Sequence, residues 1–326
     1  MDYTSLEKTR VDKLNHLRYL GIEPYPTRVE RTHNSQQAIS SFEAVESTGA
    51  QELSPVTLVG RLRSIRLMGK ITFAHIDDGY GRVQLFFRAN DVSQEQLELF
   101  NREFDLGDFV QASGGMFRTR TGEVTLRVAS FRMLAKAITP LPAAKDEVVE
   151  GEVIHHATLA DPEMRYRQRY ADLAVNPEIR QLFRTRTAII RALQDFLDSH
   201  GFLEVETPVL QPIYGGAAAR PFITHHNQLK QDLYLRISFE LYLKRLLVGG
   251  FEGVFEIGRD FRNEGVSYKH APEFTQIEFY WAYADYLKVM SLTESMIVFV
   301  ADRVLGNRLV TFQGQSLNFE PPWRRL

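Results

Sequence analysis

The segment RDFRNEGVSYKHAPEFTQIEFY, Arg259 to Tyr280, concentrates groups able to do chemistry between two apolar, strand-like runs. Side chains alternate across a strand. In GVFEIGRDFRNE the alternation puts Glu256, Asp260, Arg262 and Glu264 on one face, with Phe255, Ile257 and Phe261 on the other. In EFTQIEFYW it gathers Phe274, Gln276, Glu278 and Tyr280, with Ile277, Phe279 and Trp281 opposite. An antiparallel hairpin would bring the two polar faces together and leave GVSYKHAP, with Lys269 and His270, as the connecting loop. Arg262 offers a planar fork to a phosphate or carboxylate. Phe274 could stack on a heterocycle, and Glu278 with Tyr280 could hold an ammonium. The alternative is a polar sheet face covered by helices and closed by internal salt bridges. Alternation by itself leaves both open.

The elements around this hairpin read as α+β. Asn176 and Pro177 open a helix whose apolar stripe is Ile179, Leu182, Phe183, Ile189, Ile190, Leu193, Phe196 and Leu197, and Gly201 stops it. FLEVETPVL and LYLRI read as strands, YGGAAARPFIT as a loop, SFELYLKRLLVGG as a helix capped by Ser238 and stopped by Gly249, and ADYLKVMSLTESMIVFVADRVLG as a helix. Upstream, SLEKTRVDKLNHLRYLGI reads as an amphipathic helix, and EPYPTRVERTHNSQQ as an extended connection because of Pro24 and Pro26. From Val56 to Thr139 the pattern is three strands, a helix started by Ser93 and Gln96, and two strands. That is the order of an OB-fold, a barrel that often binds single-stranded nucleic acid, though any small five-stranded barrel would read alike. PLPAAKDEVVEGE reads as a linker, and ADPEMRYRQRYADLAVNP as a helix with a charged face.

Composition narrows the function classes. The chain has 326 residues, about two domains' worth, with 44% hydrophobic and 25% charged residues and a net charge of -2. There is no global basic field to announce nucleic acid. The absence of cysteine excludes disulfides, thiolate nucleophiles and Cys-type zinc sites. No apolar run reaches membrane-spanning length and MDYTSLEKTR has no signal-peptide core, so a cytoplasmic, non-membrane protein is expected. His155–His156 and His225–His226 show no metal-site spacing and read as surface or structural residues. No glycine-rich phosphate loop, internal repeat or low-complexity segment is present.

FRNEGVSYKHAPEFTQIEFYWAYADY resembles the second signature motif of class II aminoacyl-tRNA synthetases, and GFLEVETPVLQP resembles the first, which ends in a dimer-interface proline, here Pro208. GGAAARPFITHHN and LYLRISFELYLKRLLVGGFEGVFEIGRDFRNEG narrow the resemblance to lysyl-tRNA synthetases. It runs from the first helix to the last residue and takes in RLMGKITF, FDLGDFV and RYRQRYADL. It implies a homodimer that uses ATP and Mg2+ to convert L-lysine to lysyl-adenylate and then charges tRNA(Lys). By the same resemblance, Arg262 is the catalytic residue and holds the α-phosphate and the lysine carboxylate. Glu264, His270 and Phe274 bind ATP, Phe274 by stacking on adenine. Gly216 and Glu240 bind the α-amino group, and Glu278 and Tyr280 the side-chain ammonium. Arg66, Phe73, Gln84 and Glu123 read the anticodon, with Phe73 stacked on the central uracil and Gln84 at its edge.

The implied organisation is a helical extension and linker over 1–50, an OB-fold anticodon-binding domain over 51–142, a linker over 143–175 and the N-terminal part of the catalytic domain over 176–326. The chain departs from the family pattern at its end, NFEPPWRRL, before the third motif and before the glutamates that hold magnesium. A piece of a longer ligase is therefore expected. A truncated, non-catalytic tRNA-binding paralogue and a paralogue that activates lysine for another acceptor are the alternatives. Ser238-Phe239 stands where Ala-Pro is common, a change expected to affect little beyond the helix start.

Overall fold

The computed structural model describes residues 3–48, 54–142, 145–149, 152–156, 159, 161–267 and 269–325, in two units, Met1–Arg180 and Gln181–Leu326. The first opens with α1 (Ser5–Tyr19), started by a reciprocal cap in which the Glu7 N–H donates to Thr4 Oγ1 at 3.3 Å and the Thr4 N–H to Glu7 Oε2 at 2.9 Å. Its buried apolar residues are Leu14 and Leu17, while Leu6 and Leu20 face solvent, so the stripe is narrower than the sequence suggests. Arg10 fastens the helix by donating to the carbonyls of Leu106 and Ala137. The extended connection ends earlier than expected, because α2 (Ser35–Thr48) follows it. Asn34 and Gln37 cap that helix reciprocally, at 2.7 and 3.0 Å.

The next strands are β1 (Val56–Met68), β2 (Ile71–Asp77) and β3 (Arg82–Arg88), then α3 (Ala89–Val92) and α4 (Gln94–Glu103), then β4 (Phe109–Arg118) and β5 (Val124–Ala135). Their pairings close into a ring, β1-β2-β3-β5-β4, with β3 and β5 parallel. This is the OB-fold order expected from the sequence, and the Ser93 hydroxyl starts α4 by accepting the Gln96 N–H at 3.2 Å. Alternate residues point inward, so Leu58, Leu62, Ile76, Leu85, Phe87 and Leu126 are sealed in the core. Each such side chain contributes roughly 1.5–3 kcal/mol relative to exposure.

The segment expected as a linker carries a hairpin of β6 (Lys145–Val149) and β7 (Glu152–His156), and the charged helix expected after it is divided into α5 (Pro162–Arg167) and α6 (Arg169–Val175). Two of its arginines have a structural use. Arg165 and Arg169 both reach the buried carboxylate of Asp172, which also accepts from Asn176 Nδ2 at 2.7 Å. The boundary between the units falls within α7 (Pro177–Ser199).

The second unit contains β8 (Leu203–Glu204), β9 (Leu210–Gln211), β10 (Ile223–His226), β11 (Gln231–Leu235), α8 (Glu240–Val248), β12 (Gly253–Phe261), β13 (Glu273–Trp281), α9 (Tyr286–Leu305), β14 (Leu309–Phe312) and β15 (Gln315–Asn318). FLEVETPVL is not one strand but β8 and β9, because Pro208 between them has no N–H to give a ladder. The last hairpin, β14–β15, has no counterpart in the sequence reading. The central hairpin pairs antiparallel as expected, with Glu256 opposite Glu278 and Asp260 opposite Phe274. Its apolar face, with Phe255, Ile257, Ile277 and Phe279, packs with Phe196 and Leu197 of α7 and Leu292 and Met296 of α9. No helix among the described residues is long and apolar enough to cross a membrane.

Candidate active site and candidate nucleic-acid face

The polar face of the β12–β13 hairpin divides along its length. On β12, Glu256 and Asp260 are buried. Arg236, just beyond β11 and itself buried, donates to Glu256 Oε1 at 2.5 Å through Nη1 and to the Arg259 carbonyl at 2.9 Å through Nε. The Thr207 hydroxyl donates to Glu256 Oε2 at 2.6 Å, and the Phe239 ring lies 4.1 Å from the Arg236 guanidinium. Only glycine fits between them at position 258, because a Cβ there would stand 2.6 Å from Arg236 Nη2. Asp260 is sealed without a hydrogen bond to either oxygen, its nearest cation being Arg236 Nε at 3.6 Å. Burial pushes its carboxyl up to about 7, against the pull of Arg236.

On β13 the face is open. Phe274, Gln276, Glu278 and Tyr280 are all half-buried. Glu278 organises them: Oε1 accepts from Ser238 Oγ at 2.8 Å and from Gln276 Nε2 at 2.6 Å, and Oε2 accepts from the Tyr280 hydroxyl at 3.1 Å. Burial, and then Glu278, raise the Tyr280 phenol, so it stays a donor. Arg262 lies just beyond β12, with its guanidinium centre 5.1 Å from the Phe274 ring centroid. Its buried Nε has no partner.

Glu240 and Gly216 meet near this carboxylate. The Ser238 hydroxyl that donates to Glu278 also accepts the Glu240 N–H at 3.1 Å. Gly216 has φ +89°, and a Cβ on it would lie 2.7 Å from Glu240 Cβ and 2.8 Å from Ser238 Oγ. Glu240 itself pairs with Lys244 at 2.6 Å, one helical turn on. The substitution at Ser238 therefore does more than the sequence reading expected: Phe239, not Ser238, is the cap residue of α8, and the Ser238 hydroxyl joins Glu278 to Glu240. Glu264 and His270 sit exposed in the loop after β12, where His270 Nδ1 is 2.8 Å from Ser267 Oγ. Pro208 is exposed between β8 and β9. Arg236 carries much of the face, yet it lies outside the hairpin and alternation could not find it. Its signal is a lone arginine in the apolar run LYLRI.

In the first unit, one face of the barrel forms a groove of about 1020 Å³ lined by Arg66, Phe73, Gln84 and Glu123 together with His75 and Phe117. All four residues expected to read a base thus line one groove. Strand register explains it. Arg66, Phe73 and Phe86 stand opposite one another on three neighbouring strands, and Ser64, His75, Gln84 and Thr125 do the same on the adjacent rung. Phe73 and Phe86 have centroids 5.0 Å apart, and Phe86 lies 5.8 Å from Phe117, which makes an aromatic platform. Beside it, Gln84 Nε2 donates to Glu123 Oε2 at 2.7 Å and Gln84 Oε1 accepts from Thr125 Oγ1 at 2.9 Å. Arg66 is exposed at the edge.

His225 is occupied away from the hairpin face. His225 Nδ1 is 2.9 Å from Asp232 Oδ1 on the surface, and only the backbone of His155 and His156 is described, within β7. Among the described residues no group of three or more His, Asp or Glu is arranged to hold a metal ion.

Two family models match this chain. Residues 56–134 match the family model described as an OB-fold nucleic acid binding domain, and residues 161–326 match that of tRNA synthetases class II (D, K and N). Over 325 residues the chain is 53% identical to the lysine–tRNA ligase of Pelotomaculum thermopropionicum, covering 100% of this chain and 61% of that protein. It is 49% identical over 326 residues to the lysine–tRNA ligase of Clostridium novyi and 48% identical over 326 residues to that of Clostridium tetani, covering 100% of this chain in both cases and 60% and 61% of those proteins. The chain thus spans about 60% of the length of these curated relatives. With the synthetase model matched over the whole hairpin site and the nucleic-acid model over the barrel groove, this chain belongs to the class II tRNA synthetases of the D, K and N group.

Proposed function

We propose that the chain serves lysine–tRNA ligation, with the open half of the hairpin face taking L-lysine and ATP and the barrel groove taking the anticodon of tRNA(Lys). The observation that carries this reading is the arrangement around Glu278. A carboxylate that collects Ser238, Gln276 and Tyr280 stands on the same strand face as an arginine laid against Phe274. An acidic end and a cationic, aromatic end suit a substrate with an ammonium at one end and a carboxylate meeting a nucleotide at the other.

Glu278 and the Tyr280 hydroxyl hold the lysine side-chain ammonium, while Glu240 and the Gly216 backbone hold the α-amino group. The lysine carboxylate then faces Arg262. One carboxylate oxygen bonds to the α-phosphorus of ATP, and the bond from that phosphorus to its bridging oxygen breaks. The electron pair leaves with pyrophosphate. The attacking carboxylate is already ionised, so no general base is needed, and Arg262 acts by alignment and by stabilising charge. Phe274 stacks on adenine, and Glu264 and His270 close on ATP from their loop. Mg2+ is the expected companion of ATP, but the described residues show no ligand cluster for it, and no step is assigned to it. In the barrel, Phe73 stacks on a base while Gln84, Glu123 and Arg66 read and hold it. A cytoplasmic homodimer with Pro208 at its interface completes the reading.

The test is lysine-dependent ATP–pyrophosphate exchange by the complete gene product. Arg262→Ala should lower exchange by about 10²–10³-fold or more. Undiminished exchange in that variant, or exchange supported equally by arginine or aspartate, would overturn the reading.

A further inference from the structure

One member of the barrel's polar rung has no role in the reading above. His75 stands between Ser64 and Gln84 across three strands. Its Nε2 is 2.8 Å from Glu123 Oε1, and its Nδ1 is 2.8 Å from Ser64 Oγ. The Ser64 hydroxyl also accepts from Arg82 Nη2 at 3.2 Å. The Glu123 carboxylate can only accept, so Nε2 carries a hydrogen and donates it to Glu123, and in the neutral ring Nδ1 then accepts the Ser64 hydroxyl. Glu123 is then held from two sides, at Oε1 by His75 and at Oε2 by Gln84. Gln84 is in turn fixed by the buried Thr125 hydroxyl. Glu123 is otherwise an exposed side chain just ahead of β5, free to swing without these partners.

We propose that His75 is the positioning residue for base discrimination in this groove. It locks Glu123 as an acceptor beside the aromatic platform, at the Watson–Crick edge of a stacked base. The inference rests on the proposed anticodon reading and deepens it. The chemistry then selects among bases. A base on the platform meets a fixed acceptor, the Glu123 carboxylate, next to a donor, the second amide hydrogen of Gln84. Uracil matches with its N3–H donor and its carbonyl acceptors. Cytosine presents a lone pair at N3 and is repelled by the carboxylate. The order of parts is therefore Arg82 to Ser64 to His75 to Glu123, with His75 turning a mobile carboxylate into a directional one.

The experiment measures dissociation constants of the protein for two short RNA stem-loops at one salt concentration. One has three uridines at the loop centre, and the other has cytidine in the middle position. The readout is the ratio of the two constants. His75→Phe keeps a ring of similar shape and removes the donor. It should lower the ratio about tenfold, the worth of a hydrogen bond to a charged group. His75→Gln restores a donor at the Nε2 position and should keep the ratio within about twofold of the parent. Ser64→Ala removes the partner that orients the His75 ring at Nδ1 and should lower the ratio in the same direction, which covers the case of a poorly folded His75→Phe. An unchanged ratio in His75→Phe or Ser64→Ala, beside a lowered ratio in Glu123→Ala, would overturn the role of His75. So would failure of His75→Gln to restore it. Phe73→Ala tests the underlying reading separately: it should weaken both RNAs, and equal binding by that variant would remove the anticodon face itself.

Discussion

Asp260 offers a test of how the hairpin face is built. Its side chain is fully buried, both oxygens lack a hydrogen bond, and Arg236 Nε stands 3.6 Å away. Burial moves its carboxyl from 3.8 to about 7. Over that window the native protein holds a proton that the unfolded chain has already lost. Unfolding releases it, so the contribution of this group is fully present below pH 4 and is lost as pH rises through about 7. A gap of about three pH units, at 1.36 kcal/mol each, makes the loss roughly 4 kcal/mol. Asp260→Asn keeps the shape and cannot ionise. Its unit should match the parent in stability below pH 4 and exceed it by up to roughly 4 kcal/mol above pH 7. Urea unfolding across this pH range gives the answer, read by tryptophan fluorescence, since Trp281 and Trp323 both lie in the 181–326 unit. The difference between variant and parent isolates the one group. A difference that does not change with pH would refute the reasoning.

Two further outcomes follow from the same contacts. Gly216→Ala forces a Cβ to within 2.7 Å of Glu240 Cβ at a φ of +89°, a strain of about 1–3 kcal/mol; in the complete gene product, pyrophosphate-exchange kinetics should show lysine KM raised about tenfold with ATP KM little changed. Arg236→Met removes the cation from buried Glu256 and should destabilise the unit by about 3–5 kcal/mol in urea unfolding, and a double variant with Glu256→Gln should recover part of that loss in a double-mutant cycle.

The sequence made the hairpin legible because period-two alternation survives in GVFEIGRDF and EFTQIEFYW, and the pairing of Glu256 with Glu278 follows once those strands are antiparallel. The barrel was legible for the same reason. Its polar rung was not, because the row Ser64–His75–Gln84–Thr125 depends on register across four strands and passes a bulge between Leu62 and Ser64. The start of helix α2 is marked only by the Asn34–Gln37 pair, and Pro24 and Pro26 upstream make the whole stretch read as extended. The stripe on α7 overstated burial: Leu182 and Phe183 are 61% and 48% exposed, so periodicity identified the helix but not what covers each apolar residue. Arg236 escaped because its partners, Thr207, Glu256 and the Arg259 carbonyl, come from segments distant in sequence.

The two strands of the polar face differ in how their groups are covered. On β12 the polar residues are sealed by Arg236 and Phe239, as a structural salt-bridge floor would be. On β13 they stay half-buried and converge on Glu278. The floor has a consequence for the open half. Glu256 and Glu278 are cross-strand neighbours, and like charges directly opposite repel. Arg236 engages Glu256, while Ser238, Gln276 and Tyr280 donate to Glu278. Neutral donors leave Glu278 its negative charge, whereas a second arginine would cancel it. Glu278 thus keeps its carboxylate on the half-buried strand, while Glu256 opposite it is neutralised by the buried Arg236 reaching in from beyond β11.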